Sequence, residues 1–382
     1  MKPYYLFSHE YPPFAGGVGN YSFGVAQAMH RAAIPVRVIT FGEAVGTETS
    51  HLDKFPVFRI QTTRKAGTLR FMREFFEYVR FLRIHPTGTL HAMDWQSWKI
   101  LSVLNLFRCV PYSLTLHGSE IHTARYSLRS RILGAKMLFR NVRHVTVNSG
   151  NTRGRLVKHF PFLSEKTVNI AYPAPQEQIV QYASLASKST KAEEGLIRIL
   201  TVARIEARKG HLFALEALRK LTKDGNIEIR WDIVGDVIED GTYGQLRIAA
   251  ESAPFPIRIH GKLGIDGLVE LMKGAEIFLL SGIPHETKTE GFGMVYVEAG
   301  LFSLPSIGTL IGGVAEAVSH PNTGLLSPPG DIDQLTRNLK TLCEDGSLRQ
   351  KMGTAASEYA RSFSWEKTAS SIFPELKDKI HG

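Results

Sequence analysis

The sequence is poor in cysteine and has no long apolar run. Its two cysteines, Cys109 and Cys343, lie far apart without metal-ligand spacing around them, which excludes a disulfide framework and favours a reducing compartment. Cys109 stands in an apolar context, and we expect it to be buried. No apolar run reaches the roughly 18 residues of a membrane-spanning helix, and the N-terminus lacks the apolar core of a signal peptide. We therefore expect a soluble cytoplasmic protein, or one attached to a membrane surface.

Acidic residues are scarce in the first part of the chain. The whole chain carries a net charge of +10. Residues 1–166 hold 23 Lys/Arg and 9 Asp/Glu, a net charge of +14, whereas the remainder carries −4. This asymmetry indicates that the first half faces an anionic partner; nucleic acid, anionic lipid and phosphorylated acceptors all fit.

Short apolar strands alternate with amphipathic helices along all 382 residues, which predicts two α/β domains with mostly parallel sheets. In the first half we expect strands at 3–8, 35–40, 57–60, 88–92, 111–116, 143–147 and 167–171, and helices at 18–31, 69–84, 95–107, 126–140 and 149–159. In the second half we expect strands at 197–202, 228–234, 256–260, 276–280, 305–308 and 324–326, and helices at 210–222, 241–251, 264–274, 293–302, 331–345 and 347–361.

Prolines, small residues and lysines mark 173–195 as a linker. The predicted domains are therefore 1–172 and 196–362, with a short closing segment, 363–382. Open α/β sheets bind ligands beyond the carboxyl ends of their strands, so we expect a ligand-binding cleft between the two domains.

The sharpest chemical signal is a pair of acids, Glu290 and Glu298, around the turn Gly291-Phe292-Gly293-Met294. The segment after the turn is predicted to be a helix, whose first N–H groups and dipole suit a phosphate or sugar oxygens. Glu290 would accept hydrogen bonds from sugar hydroxyls, and Glu298 could reach a ribose. The alternative is that Glu290 only caps the helix and Glu298 is a surface acid.

Two loops offer groups for a diphosphate. Arg204 and Lys209 follow the first strand of the second half and could neutralise the charge that grows as a sugar leaves. Gly16 and Gly17 follow the first strand of the chain, where glycine lets the backbone approach a ligand. The alternatives are solvated loop cations and a plain turn. The glycine spacing is not GxGxxG, so the nicotinamide or flavin fingerprint is absent.

His117 ends a very apolar strand and could hydrogen-bond a sugar hydroxyl at the carboxyl edge of the sheet; a structural role is the alternative. Asp331-Ile332-Asp333 matches the DxD pattern of metal-dependent transferases. It follows Pro-Pro-Gly and opens an amphipathic helix, so we interpret Asp331 as an N-cap. We expect no metal site and no cofactor.

Taken in order, these segments resemble the family-four retaining glycosyltransferases, which have the GT-B fold of two Rossmann-like domains facing an interdomain cleft. The resemblance covers nearly the whole chain, since further matching segments stand at Val234-Gly235-Asp236, His260-Gly261, Gly312-Gly313, Gly324-Leu325-Leu326 and Phe363-Ser364-Trp365. It implies an acceptor-side first domain, a nucleotide-sugar-binding second domain, and a last segment that crosses back to the first.

The resemblance also implies roles for the site residues. Glu290 would hold a donor-sugar hydroxyl and Glu298 the ribose. Arg204 and Lys209 would hold the diphosphate, and His117 would lie beside the transferred sugar. The base would lie near Gly261 and Lys262. Backbone donors to the sugar and diphosphate would come from Gly291, Phe292, Gly293 and Met294, with Gly16 and Gly17 assisting from the first domain.

Two departures from the family pattern stand out. Ala171-Tyr172-Pro173-Ala174 replaces the Asn-Gly-Val-Asp stretch that is frequent in the family after the last strand of the first domain. The loop at 281–289 is longer than usual and looks like that of the phosphatidylinositol mannosyltransferase subgroup, which favours a glycan or lipid-linked cell-envelope acceptor. The alternatives are a phosphorylase or hydrolase on the same fold, and a non-enzymatic module that binds nucleic acid. The intact acid and cations at Glu290, Arg204 and Lys209 argue against the last.

The first domain is also predicted to dock on an anionic membrane surface. At about 100° per residue, one stripe of a helix at 126–140 with its flanks would hold Arg125, Arg129, Lys136, Arg140 and Arg143. The helix at 69–84 shows a wide apolar arc of Phe71, Met72, Phe75, Phe76, Tyr78 and Val79, with Arg70, Arg73 and Arg80 alongside. Aromatics beside arginines are typical of interfacial helices; core aromatics with a solvated arginine face are the alternative.

Overall fold

The computed structural model describes residues 1–13, 16–42, 54–61, 68–85, 87–165, 168–185, 195–223, 226–238, 241–286 and 289–381. The chain divides into two compact units. Unit 1 comprises Met1–Ala174 and Ser364–Gly382, and unit 2 comprises Pro175–Phe363. Each unit is built on a parallel sheet flanked by helices, so the predicted fold class of two Rossmann-like α/β domains is confirmed.

The strands of the two units form two separate parallel sheets. Those described in unit 1 are β1 Tyr4–Phe7, β2 Val36–Gly42, β3 Val57–Gln61, β4 Thr89–Ala92, β5 Tyr112–Leu116, β6 Val142–Val147 and β7 Val168–Ile170. They pair in the order β3-β2-β1-β4-β5-β6-β7. Those described in unit 2 are β8 Leu196–Val202, β9 Glu228–Val234, β10 Ile257–Gly261, β11 Ile277–Leu280, β12 Ser306–Thr309 and β13 Gly324–Ser327. They pair in the order β10-β9-β8-β11-β12-β13.

Helices connect the strands and cover both sheets. In unit 1 the chain first forms α1 Gly17–Arg31, α2 Thr68–Ile84, α3 Trp95–Phe107, α4 Ser119–Arg125, α5 Leu128–Leu133 and α6 Gly150–His159. In unit 2 it forms α7 Glu177–Leu185, α8 His211–Thr222, α9 Thr242–Glu251, α10 Ile265–Gly274, α11 Met294–Leu301, α12 Val314–Ala317, α13 Ile332–Glu344 and α14 Gly346–Arg361. It returns to unit 1 with α15 Trp365–Ile372 and α16 Lys377–His381.

The cores explain why the strands are recognisable as continuous apolar runs. A parallel sheet is covered by helices on both faces, so both sides of each strand are buried. In β5 every residue is buried, and Leu114 packs in one core with Phe7 and Trp98. In unit 2, Trp231 and Ile277 lie in a second such core. Each strand is therefore a continuous apolar run in the sequence, because its side chains pack against helices on both faces of the sheet.

The predicted helix at 126–140 is wrong. Gly134 has φ 81 and separates α5 from a short 3-10 helix, Ala135–Phe139. Glycine adopts a positive φ without steric cost, and a residue with this angle ends an α-helix. Arg143 lies on β6. The basic residues from Arg125 to Arg143 therefore share no single helical stripe.

Two further differences concern short segments. Cys109 is exposed, not buried, because it lies in the connection between α3 and β5. The stretch 173–195 was expected to be linker, but it contains α7, which packs on α10 and α11 of unit 2. Ile179 anchors this helix in the core. Residues 186–194 of the expected linker lie outside the described residues.

The C-terminal residues are held in unit 1 by contacts between α15 and α1. Trp365 packs over Gly24, where an added Cβ would lie 2.2 Å from the indole ring. Thr368 Oγ1 donates a hydrogen bond of 2.6 Å to the carbonyl of Tyr172. Within the described part of the chain, no helix combines the length and the apolar character needed to cross a bilayer.

Candidate active site

The strand order of unit 2 reverses between β8 and β11. On one side β8 pairs with β9, and on the other it pairs with β11. The loops that follow β8 and β11 therefore leave the carboxyl edge of the sheet side by side. This reversal point is where open α/β sheets bind ligands.

These two loops are fastened to each other by backbone contacts. Gly210 has φ 72, and a Cβ at this position would lie 1.9 Å from the carbonyl oxygen of Ser281. Ser281 Oγ donates to the Gly210 carbonyl at 3.0 Å, and the Ile283 N–H donates to the Arg208 carbonyl at 3.0 Å. The close approach requires glycine at 210 and fixes the backbone on either side of it.

Lys209 and Glu290 meet across the reversal point. Lys209 Nζ lies 2.6 Å from Glu290 Oε2, and both side chains are mostly buried. Arg208 Nη1 lies 3.6 Å from the same oxygen. Burial by itself would raise the pKa of Glu290, but Lys209, Arg208 and Arg204 outweigh it and lower the pKa. Glu290 is therefore an ionised carboxylate among cations.

The turn after Glu290 places a helix N-terminus next to this carboxylate. Gly293, not Glu290, is the N-cap residue of α11, so the capping role considered for Glu290 does not occur. The Tyr296 N–H bonds the Gly293 carbonyl at 3.0 Å. Among the described residues, the N–H groups of Met294 and Val295 have no acceptor, as expected for the first turn of a helix. They are available to an anion.

The turn is fixed by close contacts with two glycines, Gly312 and Gly313. Gly312 has φ 53, and a Cβ there would lie 1.9 Å from the Glu290 carbonyl oxygen. The Gly313 N–H donates to that carbonyl at 2.9 Å, and a Cβ on Gly313 would lie 2.4 Å from the Gly291 carbonyl. The Phe292 ring is buried 5.5 Å from that of Phe363, so Phe292 offers a ligand only its backbone.

Glu298 lies on α11, one turn after Met294. It accepts a hydrogen bond from the Gln176 backbone N–H, and no cationic side chain within the described residues pairs with it. Burial raises the pKa of Glu298 to about 7. Glu298 is partly buried, and its raised pKa distinguishes it from the surface acid that was the alternative.

Gly261 and Lys262 stand at the same edge, Gly261 as the last residue of β10 and Lys262 directly after it. Gly261 has φ 66, and its carbonyl accepts from the Gly235 N–H at 2.9 Å. Lys262 Nζ is exposed and lies 3.5 Å from Asp236 Oδ2. The two residues predicted to lie near a base are thus two strands away from Lys209, on the β9–β10 side of the edge.

The remaining predicted residues belong to unit 1. Gly17 is the first residue of α1, and a Cβ added to it would meet no atom within 4 Å. A Cβ on Gly16 would lie 3.0 Å from Glu10 Oε2. His117 follows β5, and its Nε2 lies 2.9 Å from the Met93 carbonyl oxygen. A carbonyl only accepts, so Nε2 carries the proton in the neutral ring, and Nδ1 is left as an acceptor.

Sequence reasoning missed two residues of the cluster in unit 2, Glu206 and Arg208. Glu206 pairs with both Arg204 and Arg208, and Arg208 also reaches Glu290. The available signal was the alternation of charge along Arg204-Ile205-Glu206-Ala207-Arg208-Lys209. It was overlooked because only its two end residues match the family motif.

In unit 1, sequence reasoning also missed a buried charged cluster at the corresponding reversal of strand order, between β1 and β4. His9 lies there between two carboxylates, with Nε2 3.2 Å from Glu74 Oε2 and Nδ1 3.5 Å from Asp94 Oδ1. Burial alone would lower the pKa of His9, but Asp94 and Glu74 raise it. The cluster ties α2 to the end of β1.

The DxD-like segment has the structural role predicted for it. Asp331 accepts from the Gln334 N–H at 2.8 Å and is the N-cap of α13. Among the residues that the structure describes, no group of three or more His, Cys, Asp or Glu side chains is placed to hold a metal ion.

Two parallel-sheet Rossmann-like units are the architecture of the GT-B fold, and in this chain a cation–acid cluster lies at the strand reversal of unit 2. Sequence models of two glycosyltransferase families match the chain: Glycosyltransferase Family 4 over residues 15–173, and Glycosyl transferases group 1 over residues 184–359. The chain belongs to the family-four glycosyltransferases, with a likeness to the phosphatidylinositol mannosyltransferase subgroup.

Individual relatives agree with this assignment. The D-inositol 3-phosphate glycosyltransferase of Pseudarthrobacter chlorophenolicus is 22% identical over 379 residues, which cover 93% of this chain and 88% of the relative. A GDP-mannose-dependent monoacylated alpha-(1-6)-phosphatidylinositol monomannoside mannosyltransferase of Corynebacterium glutamicum is 29% identical over 170 residues, which cover 43% of this chain and 42% of the relative. The crystal structure of Anabaena Alr3699/HepE in complex with UDP and glucose shares the fold with a TM-score of 0.75 at 17% identity, and the match covers 98% of this chain and 99% of that chain.

Proposed function

We propose that this protein is a retaining glycosyltransferase that moves a hexose-type sugar from a nucleotide-diphosphate sugar to a glycan or lipid-linked cell-envelope acceptor. The observation that carries the proposal is the Lys209–Glu290 pair at the strand reversal of unit 2. An ionised carboxylate, neighbouring cations and the free N–H groups of α11 meet there. These are the groups that recognise sugar hydroxyls and a diphosphate.

Each side chain of the cluster has one task. Arg204 and Lys209 bind the diphosphate together with the first N–H groups of α11. Glu290 accepts a hydrogen bond from a hydroxyl of the donor sugar, and Glu298 accepts from the ribose. The base lies against the β10 end at Gly261 and Lys262. In unit 1, the family resemblance assigns Gly16 and Gly17 to the donor and His117 to the reacting sugar.

The chemistry requires no nucleophile from the protein. The acceptor hydroxyl attacks the anomeric carbon on the face from which the diphosphate leaves, so the new carbon–oxygen bond forms as the old one breaks. The leaving phosphate oxygen takes the proton of the acceptor hydroxyl. Arg204 and Lys209 stabilise the negative charge that grows on the diphosphate. The product keeps the configuration of the donor.

The activities that name the relatives support the proposed substrates. One relative uses GDP-mannose with a phosphatidylinositol monomannoside, and another glycosylates D-inositol 3-phosphate. The HepE crystal holds UDP and glucose. Guanine and uracil therefore both stay candidates for the base of the donor. An acceptor that carries a phosphate fits the basic first half of this chain.

A donor-hydrolysis screen with UDP-, GDP- and ADP-sugars tests the proposal. We expect slow hydrolysis of one donor class, and we expect it to disappear in Glu290→Ala while the exposed-acid control Glu216→Gln is unaffected. Hydrolysis of no donor, together with turnover of a disaccharide plus inorganic phosphate, would instead identify the phosphorylase alternative. Salt-sensitive binding of nucleic acid without any donor binding would identify the non-enzymatic alternative.

We further propose that unit 1 docks on an anionic membrane through the outer face of α2, with the protein on the cytoplasmic side. Tyr78 is buried in the core, so the apolar arc is narrower than predicted. Leu69, Met72 and Phe76 remain 87%, 43% and 61% exposed. At 100° per residue they fall on one stripe, and the exposed arginines on the same stripe are Arg73, Arg80 and Arg83. Apolar residues flanked by arginines are what an anionic bilayer surface binds.

A liposome sedimentation assay tests the docking face. We expect binding to vesicles that contain anionic phospholipid and none to neutral vesicles, with a large loss in the double variant Phe76→Ser, Arg73→Gln. Ile248→Ser is the matched control, because Ile248 is equally exposed on α9 of unit 2. Equal binding to both kinds of vesicle, or no loss in the double variant, would remove the docking face from the proposal.

A further inference from the structure

Arg208 connects two carboxylates at the strand reversal of unit 2. Its Nη2 lies 2.8 Å from Glu206 Oε1, and its Nη1 lies 3.6 Å from Glu290 Oε2. Only 13% of the side chain is exposed. The backbone of Arg208 is fixed as well, since its carbonyl accepts from the Ile283 N–H. The guanidinium group therefore lies between the two acids, within ion-pair distance of each.

Glu206 is the anchor of this arrangement. It is buried, and its Oε1 pairs with Arg204 Nη2 at 3.0 Å as well as with Arg208. A buried carboxylate is stable only when it is paired. Arg208 is thus held before any ligand arrives. Arg204 also pairs with Glu206, but its side chain is half-exposed and can turn toward an anion.

Lys209 differs from Arg208 in what holds it. Within the described part of the chain, its ammonium group pairs with one acid, Glu290, and it sits on a flexible stem. A diphosphate that binds at this edge carries more negative charge than Glu290 and competes for the ammonium. Arg208 is not released in the same way, because Glu206 keeps the other end of its guanidinium group.

We propose that Arg208, anchored by Glu206, is a positioning residue that orients Glu290 and stays its counterion when a donor diphosphate engages Lys209. The inference rests on the proposed function and adds a division of labour among the cations. Lys209 and Arg204 serve the leaving group, and Arg208 serves the acid that holds the sugar. Glu290 then accepts from the sugar hydroxyl throughout the reaction.

The electrostatic surroundings of Glu290 agree with this division. The titratable groups that face it are Lys209 and Arg208 on the β8 loop, Arg204 before them, and the buried hydroxyl of Tyr296 on α11. Burial pushes the pKa of Glu290 up, and the three cations push it down. A bound diphosphate would attract Lys209 away from Glu290. If Arg208 were also removed, burial would have the larger effect on the pKa of Glu290, and the carboxylate would take up a proton at a higher pH.

The test is the pH dependence of donor hydrolysis in Arg208→Gln. We expect kcat to fall roughly tenfold or more near neutral pH with a small change in KM, and the acid limb of kcat to move up by about one pH unit, since one pKa unit corresponds to a tenfold change in ionisation. Arg208→Lys keeps the positive charge but lacks the planar guanidinium group that reaches two acids, and it should recover part of the loss. Arg337→Gln, on the exposed face of α13, removes an equal charge and should leave the profile unchanged.

Two further measurements keep the inference separate from the proposed function. Glu206→Gln leaves Arg208 in place without its anchor and should lower kcat with a small change in KM, as in Arg208→Gln, which covers the case that Arg208→Gln fails to fold. The ionisation of Glu290, followed by carboxyl ¹³C NMR in the presence of pyrophosphate, needs no turnover; it should shift to higher pH in Arg208→Gln. An active wild type with an unchanged acid limb and unchanged NMR titration in the folded variants would overturn the role of Arg208. An inactive wild type would count against the glycosyltransferase proposal instead.

Discussion

The raised pKa of Glu298 gives the sharpest quantitative test of the site. Burial lifts the pKa of this carboxyl from 4.5 to about 7. One unit of pKa difference between folded and unfolded chains corresponds to about 1.36 kcal/mol, so the full shift is worth up to about 3 kcal/mol. The stabilising contribution is complete below pH 4.5 and is lost as the pH rises through 7. Most of it therefore disappears between pH 5 and pH 8.

The perturbation is Glu298→Gln, which keeps the shape and cannot ionise. The free energy of unfolding in urea should be measured at pH 5 and pH 8. Relative to the wild type, that of the variant should be about 2–3 kcal/mol higher at pH 8 than at pH 5. The control is Glu216→Gln, an exposed acid on α8 of the same unit, whose difference from the wild type should not depend on pH. A variant that follows the wild type at both pH values would refute a raised pKa at Glu298.

The same variant tests the assignment to the ribose. A carboxylate that accepts from a hydroxyl must be ionised, and one pH unit below the pKa only about a tenth of the carboxyl is ionised. Donor or nucleotide-diphosphate affinity of the wild type, measured by calorimetry, should fall about tenfold from pH 8 to pH 6. The Gln variant should bind more weakly at pH 8 and lose this pH dependence.

Three other outcomes are expected. Glu290→Ala and Lys209→Ala should each lower transfer at least about a hundredfold in a folded protein, the size of a lost transition-state contact; near-normal turnover measured with the identified donor would contradict the site. Activity should survive EDTA, because cationic side chains take the place of a metal at the diphosphate; a loss that manganese or magnesium restores would show otherwise. NMR of the first-formed product should show the anomeric configuration of the donor, and the opposite anomer would exclude a retaining reaction.

The periodic pattern of the sequence was sufficient for the fold class. Strands in a parallel sheet are buried on both faces, so each is a short apolar run, and the helices between them keep one polar face. This local signal located β1 to β13 to within a few residues. The role of Asp331 was also local, since an N-cap interaction spans only three residues.

Local signals failed where a single backbone angle or a distant neighbour decided the outcome. The apolar pattern at 126–140 continues through Gly134, but its positive φ breaks the helix and with it the basic stripe. Tyr78 was counted with an exposed arc, yet it is buried, where it stacks on Phe41 of β2. Neither fact is contained in the periodicity of one segment.

The candidate site divides in the same way. The residue types at Arg204, Lys209, Glu290 and Glu298, and their order along the chain, were readable as motifs, because glycine-rich turns and charged loops after strands keep their spacing. The 2.6 Å contact between Lys209 and Glu290 joins residues 81 positions apart, and the Glu206–Arg208 link to it exists only because β8 and β11 are neighbours in the sheet. The pKa of Glu298 likewise follows from burial. Pairing and desolvation depend on distances through space, and only the tertiary structure determines those distances.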